Sequence, residues 1–221
     1  MTAVPAGWTE ADFAETADYS IGRTPARARA EYWTNDGANV PWVAISDMKP
    51  HGVITTTKES ISGRAFKESF GGRIVPAGTL LMSFKLTIGR VATLGIPACH
   101  NEAIISIHPH EGVNKRYLGY YLSQVDYAEH HDRQIKGNTL NKAKIDRIPV
   151  LLPPEEEQEA IADVLDLIVR AQHLGNRLAA LAGGLRATAM DRLMSGRLGV
   201  DELDLSALPV RAGLEAEVTP V

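Results

Sequence analysis

The chain of 221 residues has one cysteine, Cys99, so no disulfide can close within it and no cysteine cluster can hold a structural metal. That usage suits a reducing compartment. No run of residues approaches the roughly 18 consecutive apolar positions that would span a bilayer. The opening "MTAVPAGWTEADF" lacks the basic and apolar regions of a secretion signal. A cytoplasmic protein with no membrane partner is expected. Glycine (19) and proline (12) are close to ordinary globular usage, which excludes collagen-like and low-complexity chains.

Motifs for catalysis are missing as well. Neither phosphate-binding glycine spacing, G-x-x-x-x-G-K-[ST] or G-x-G-x-x-G, occurs, and no G-x-S-x-G nucleophile elbow is present. His108 and His110, and the neighbours His130 and His131, do not form the convergent ligand set that zinc chemistry needs. Cys99 and His100 are adjacent, and adjacent residues on a strand face opposite ways, so they make a poor nucleophile and base. We therefore expect no catalytic residue, no metal and no cofactor.

Charge is absent only in sum. The net charge of -4 conceals an asymmetry: residues 1–152 carry 17 basic against 15 acidic side chains, residues 153–221 carry 6 against 12. Between Lys115 and Arg147 there are seven basic and four acidic residues, a local excess suited to a phosphate backbone.

What is present falls into two parts. In the first, short runs such as Trp42–Ile45, the stretch after Pro76 and Ala103–Ile107 are bounded by Gly and Pro and read as strands. Asn114 should cap an amphipathic helix carrying Tyr117, Tyr120 and Tyr121, and Asn138 or Thr139 should cap a short helix through Ile145. "IPVLLP" should be extended, because each proline pushes its predecessor out of the helical region.

From Glu155 the apolar period becomes helical and persists to about Ser195, opening on Pro154 and three glutamates as a helix start should. Gly175, Gly183 and Gly184 are places for a bend or the close approach of another helix. The fold class expected is α+β: a compact β-rich unit over 1–152, a long helix that packs with a partner helix over 153–199, and a loose acidic tail over 200–221. Trp33 and Trp42 are expected in the core.

Four phrases in order, "GRTPARARAEYW…VPWVAISDM", "IVPAGTLLMSFKLTIGRVA…HNEAI", "GNTLNKAKIDRIPVLLPPEEEQEAIADVLD" and "LRATAMDRLMSGRLG", resemble the specificity subunit of type I restriction-modification systems. The resemblance implies a target recognition domain that reads double-stranded DNA, and helices that set the spacing of half-sites. It also implies docking of the type I methyltransferase subunits, and of a restriction motor subunit where one is present. The usual member has two recognition domains and two helical regions; one of each is found here. That implies a half-length form whose helix pairs with a second copy, through Ile161, Leu165, Ile168, Leu174, Leu178, Leu181 and Leu185. Glu102 stands where the family often has Gln.

Polar residues on turns are the candidates for DNA contact, since phosphates need accessible donors and bases need forked or amide groups. Three clusters and one lone amide qualify. They are Ser46, Asp47 and Lys49; Ser83, Lys85, Thr87 and Arg90; Asn101; and Arg133, Lys136, Asn138, Thr139, Asn141, Lys142 and Lys144. The competing reading is a structural or protein-binding module with a helical stalk and no nucleic-acid contact.

Overall fold

The computed structural model describes residues 4–33, 39–127 and 140–200. Long-range contacts divide the chain after Val169 into two units. The first begins with β1 (Thr9–Asp12), a single-turn helix α1 (Phe13–Thr16) and β2 (Ala17–Ile21). After β3 (Val40–Val43) come β4 (Gly52–Ile54), β5 (Glu59–Ile61) and α2 (Gly63–Phe70). The central strands follow: β6 (Leu80–Ser83), β7 (Val91–Leu94), β8 (Cys99–His100) and β9 (Ile104–Pro109). Then come α3 (Lys115–Gln124), α4 (Lys142–Asp146), β10 (Pro149–Leu152) and the long helix α5 (Glu155–Met194).

Among the described residues the largest sheet has the order β2-β9-β6-β7-β4, and smaller sheets pair β5-β3-β8 and β1-β10. The expected α+β class, a β-rich unit followed by a long helix, is the architecture found. β6 and β9 are buried on both faces. Leu80 and Met82 point into a cluster with Ile105, Ile107 and Leu118 of α3. Leu81 and Ile104 point into a second with Met48 and Leu94. Burial on both sides explains why these strands read as continuous apolar runs, without the alternation of a half-exposed strand. β1 and β10 pair antiparallel, Thr9 opposite Leu152 and Asp12 opposite Pro149, so the unit closes on itself just before α5 begins.

Local chemistry fixes the helix ends. Asn114 caps α3 by accepting from the backbone N–H groups of Arg116 and Tyr117, as its sequence position predicts. The short helix α4 is capped by Asn141, which accepts from Lys144 N–H, so it starts later than the caps read at Asn138 or Thr139, both outside the described residues. Val43 ends the strand Val40–Val43, and the chain then enters a 3₁₀ turn at Ile45–Asp47, so the strand lies two residues earlier than the Trp42–Ile45 expected. Trp42 is buried, with Trp33 edge-on to it at 5.0 Å between ring centroids and the Arg27 guanidinium over Trp33 at 3.6 Å.

α5 runs without a break through Gly175, Gly183 and Gly184, and among the described residues none of the three has a neighbour within 4 Å of where a Cβ would sit. These glycines therefore interrupt no part of the helix and leave its surface open at all three positions. No helix among the described residues is long and apolar enough to cross a membrane.

Candidate nucleic-acid interface

The polar clusters singled out in the sequence lie far apart along the chain, and the fold connects them through one turn. β6 and β7 are antiparallel neighbours joined by residues 84–90. Ser83, buried at the base, donates its hydroxyl proton to Thr87 O and accepts from Arg90 N–H at 3.2 Å, while Gly89 N–H donates to Ser83 O at 2.9 Å. The guanidinium of Arg90 reaches sideways to the carbonyls of Ile45 at 3.2 Å and Met48 at 3.5 Å, tying the turn to the segment that carries Ser46, Asp47 and Lys49.

Across the turn, Phe84 O accepts from Leu140 N–H at 3.0 Å, which brings in Asn141, Lys142 and Lys144. The Tyr127 ring lies so close to Gly89 that an added Cβ would fall 2.5 Å from it. Tyr127 and Leu140 are the described residues on either side of 128–139. Both sit on this turn.

Several of the predicted contact residues are engaged in holding this arrangement. Asp47 accepts from the N–H groups of Ala44 at 2.9 Å and Lys58 at 3.3 Å, Asn101 accepts from Ala103 N–H at 3.0 Å, and Asn141 caps α4. Ser83 and Arg90 serve the turn, as described. Ser46, Lys49, Thr87 and Lys142 are exposed, and Lys85 and Lys144 are half-buried, with the Lys85 ammonium 5.3 Å from the centre of the Phe84 ring. Arg133, Lys136, Asn138 and Thr139 lie outside the described residues. Glu102 accepts a hydrogen bond from the Thr24 hydroxyl.

Sequence reasoning passed over three residues here. Leu86, at the tip of the turn, is 74% exposed and has a positive φ of 64°. Gln158, in the first turn of α5, is buried and makes three bonds: its amide N–H groups donate to Gly112 O and Pro153 O, and its carbonyl accepts from Asn114 N–H at 2.8 Å. Arg116 of α3 pairs with Asp163 at 2.6 Å and Asp166 at 2.8 Å, and these carboxylates raise its pKa further. With Tyr120 O–H donating to Asp166, they fasten the start of α5 to α3. Gln158 was visible as the one uncharged residue among five positions otherwise occupied by Glu, Glu155 to Glu159.

The apolar stripe of α5 divides in the same way as the chain. Ile161 and Leu165 are half-buried in the first unit. Ile168 is 48% exposed, and Leu174, Leu178, Leu181 and Leu185 between 58% and 72%, on a helix that keeps its apolar period through them.

A cavity of about 540 Å³ opens beside β2 and β9, lined by Arg23, Arg73, His100 and His108 among others. The Cys99 thiol, whose pKa burial pushes up to about 12, donates to Arg73 O and is not a nucleophile near neutral pH. Burial drives His100 down to about 4, leaving a neutral imidazole. No group of three or more metal-ligating side chains converges among the described residues.

Residues 5–180 match the family described as type I restriction modification DNA specificity domain. Over 168 residues the chain is 29% identical to the type I restriction enzyme MjaIX specificity subunit of Methanocaldococcus jannaschii, a match covering 73% of this chain and 38% of that protein. It is 26% identical over 159 residues to the HindI specificity subunit of Haemophilus influenzae, covering 69% and 33%. The chain spans about a third of the length of these curated relatives. The fold is shared with the HsdS subunit from Thermoanaerobacter tengcongensis, at a TM-score of 0.60 and 20% identity, with 89% of this chain and 47% of that one covered.

Proposed function

We propose that this chain, which belongs to the type I restriction modification DNA specificity family, is a non-catalytic subunit that selects the double-stranded DNA target of a methyltransferase and restriction complex. The observation that carries the reading is the convergence of two polar segments on the polar turn at 84–90, in a chain whose family is defined by DNA specificity. Lys49, Lys85, Lys142 and Lys144, with Arg133 and Lys136, supply cations for phosphates. Ser46, Thr87, Asn138 and Thr139 supply groups for base edges. Asp47, Ser83, Arg90, Asn101 and Asn141 act by holding those segments in place.

Residues 1–152 form the target recognition domain in this reading, 153–199 the helical spacer, and 200–221 a tail. The exposed leucines of α5 support self-association. Two copies packed along this face present identical recognition domains to an interrupted palindrome, protein symmetry matching DNA symmetry. The methyltransferase supplies the cofactor and the chemistry, and a restriction motor subunit supplies cleavage where one is present.

Methylation mapping tests both halves of the proposal. DNA exposed to the chain plus its methyltransferase subunits should be modified at a gapped palindrome. Modification at the same sites without this chain would overturn the recognition role, and a non-palindromic motif would overturn the symmetric pairing.

A further inference from the structure

Leu86 is placed at a cost that the fold does not recover. Its φ of 64° lies in the left-handed region, which an L side chain with a Cβ enters unfavourably and which glycine or asparagine tolerates. At 74% exposure the side chain gains almost nothing from burial. The turn around it is fixed: Ser83 locks its base, Arg90 is held by Ile45 O and Met48 O, and Phe84 is bonded on both sides, its N–H to Ala103 O and its carbonyl from Leu140 N–H.

An apolar group is therefore exposed on a hydrogen-bonded turn, directly beside Lys85 and on the same turn that is bonded to the segments of Lys49 and Lys142. A lysine next to an exposed leucine, on a turn bonded to two further lysine-bearing segments, suits a partner with a charged outside and an apolar interior. Duplex DNA has this construction, with phosphates outside and stacked base faces within, and leucine is among the side chains that enter between base steps.

We propose that Leu86 is a wedge that inserts between two base pairs of the bound duplex, unstacking one step of the recognised half-site. The proposal rests on the DNA-reading function above and adds to it a mode of readout: the half-site is selected at that step by its ease of unstacking, with no hydrogen bond needed there. The turn is rigid before binding, so little ordering accompanies insertion.

The test uses the full chain with its methyltransferase subunits and the target established by methylation mapping. 2-Aminopurine is placed in turn at each half-site position other than the methylated adenine. The wild-type complex should brighten the probe at one step, and Leu86→Gly should abolish that signal and weaken binding to the target by roughly ten- to a hundredfold. Leu86→Met should retain both. Because glycine accepts the positive φ without strain, the Leu86→Gly chain should melt no lower than wild type, which separates lost insertion from lost folding. Equal probe signals and equal affinity for wild type and Leu86→Gly would overturn the wedge and leave the recognition function standing. Absence of any sequence-selective modification by the wild-type complex would instead overturn the recognition function itself.

Discussion

A single amide side chain joins three parts of the first unit. Gln158 is 2% exposed and satisfies Gly112 O, Pro153 O and Asn114 N–H together, so the loop before α3, the end of β10 and the first turn of α5 share one hub. Gln158→Leu keeps the approximate volume and leaves those backbone groups without this partner. Each buried polar group so orphaned costs about 1 to 3 kcal/mol. We expect the variant to lose roughly 2 to 4 kcal/mol of unfolding free energy, discounted for partial relaxation, as measured by urea denaturation. An unchanged urea midpoint would show that the hub is ornamental. The contrast with Arg116 is instructive: its pairs with Asp163 and Asp166 are on exposed or half-exposed side chains, where an ion pair contributes about 0 to 1 kcal/mol.

At the level of the element, α5 shows what a sequence can and cannot disclose. Pro154, three consecutive glutamates and a sustained helical period are local signals, and they placed the helix start correctly at Glu155. How far each leucine of the stripe is covered depends on tertiary contacts that the period does not encode. Leu174, Leu178, Leu181 and Leu185 of the second unit are exposed. Leu178→Glu combined with Leu181→Glu should leave the melting temperature of the monomeric chain within about a degree or two, because exposed substitutions usually stay within ±0.5 kcal/mol. The same double variant should sediment as a monomer where the wild type associates. Wild-type sedimentation as a monomer at high micromolar concentration, with and without methyltransferase, would remove self-association from the proposed function.

α2 was not read from the sequence, because its eight residues are too few to establish a period. Its signals were instead Ser62, whose side chain accepts from Ala65 N–H, and Gly71, whose φ of 61° closes the helix. The convergence on the turn at 84–90 was invisible for a different reason. Bonds such as Phe84 to Leu140 and Arg90 to Ile45 join residues more than forty positions apart, and no local pattern encodes them.

For the whole molecule, acid stability should carry the mark of one imidazole. His100 is 3% exposed, and its pKa falls from 6.5 to about 4 on folding because burial disfavours the cation. The unfolded chain therefore binds the proton more readily. The contribution of neutral His100 to stability is complete above pH 6.5 and is lost as the pH falls through 6.5 towards 4, by about 3 kcal/mol at most. Glu59 and Glu68, held below the usual carboxylate range chiefly by hydrogen bonds from Arg27 and Tyr32, add to the loss in acid. Between pH 6.5 and 4, unfolding free energy measured against pH should fall less steeply for His100→Gln than for wild type; parallel curves would refute the assignment.

Tyr127 and Leu140 both rest on the hairpin turn that joins two central strands, so the two described residues that flank 128–139 are fixed at one place on the scaffold. The described pairing of β6 with β7 and the packing of Leu118 and Leu122 of α3 rest on residues outside that interval. In the proposed reading the architecture is a cassette holder, and transplanting 128–139 from a relative should change the methylated target without redesigning the sheets that support it.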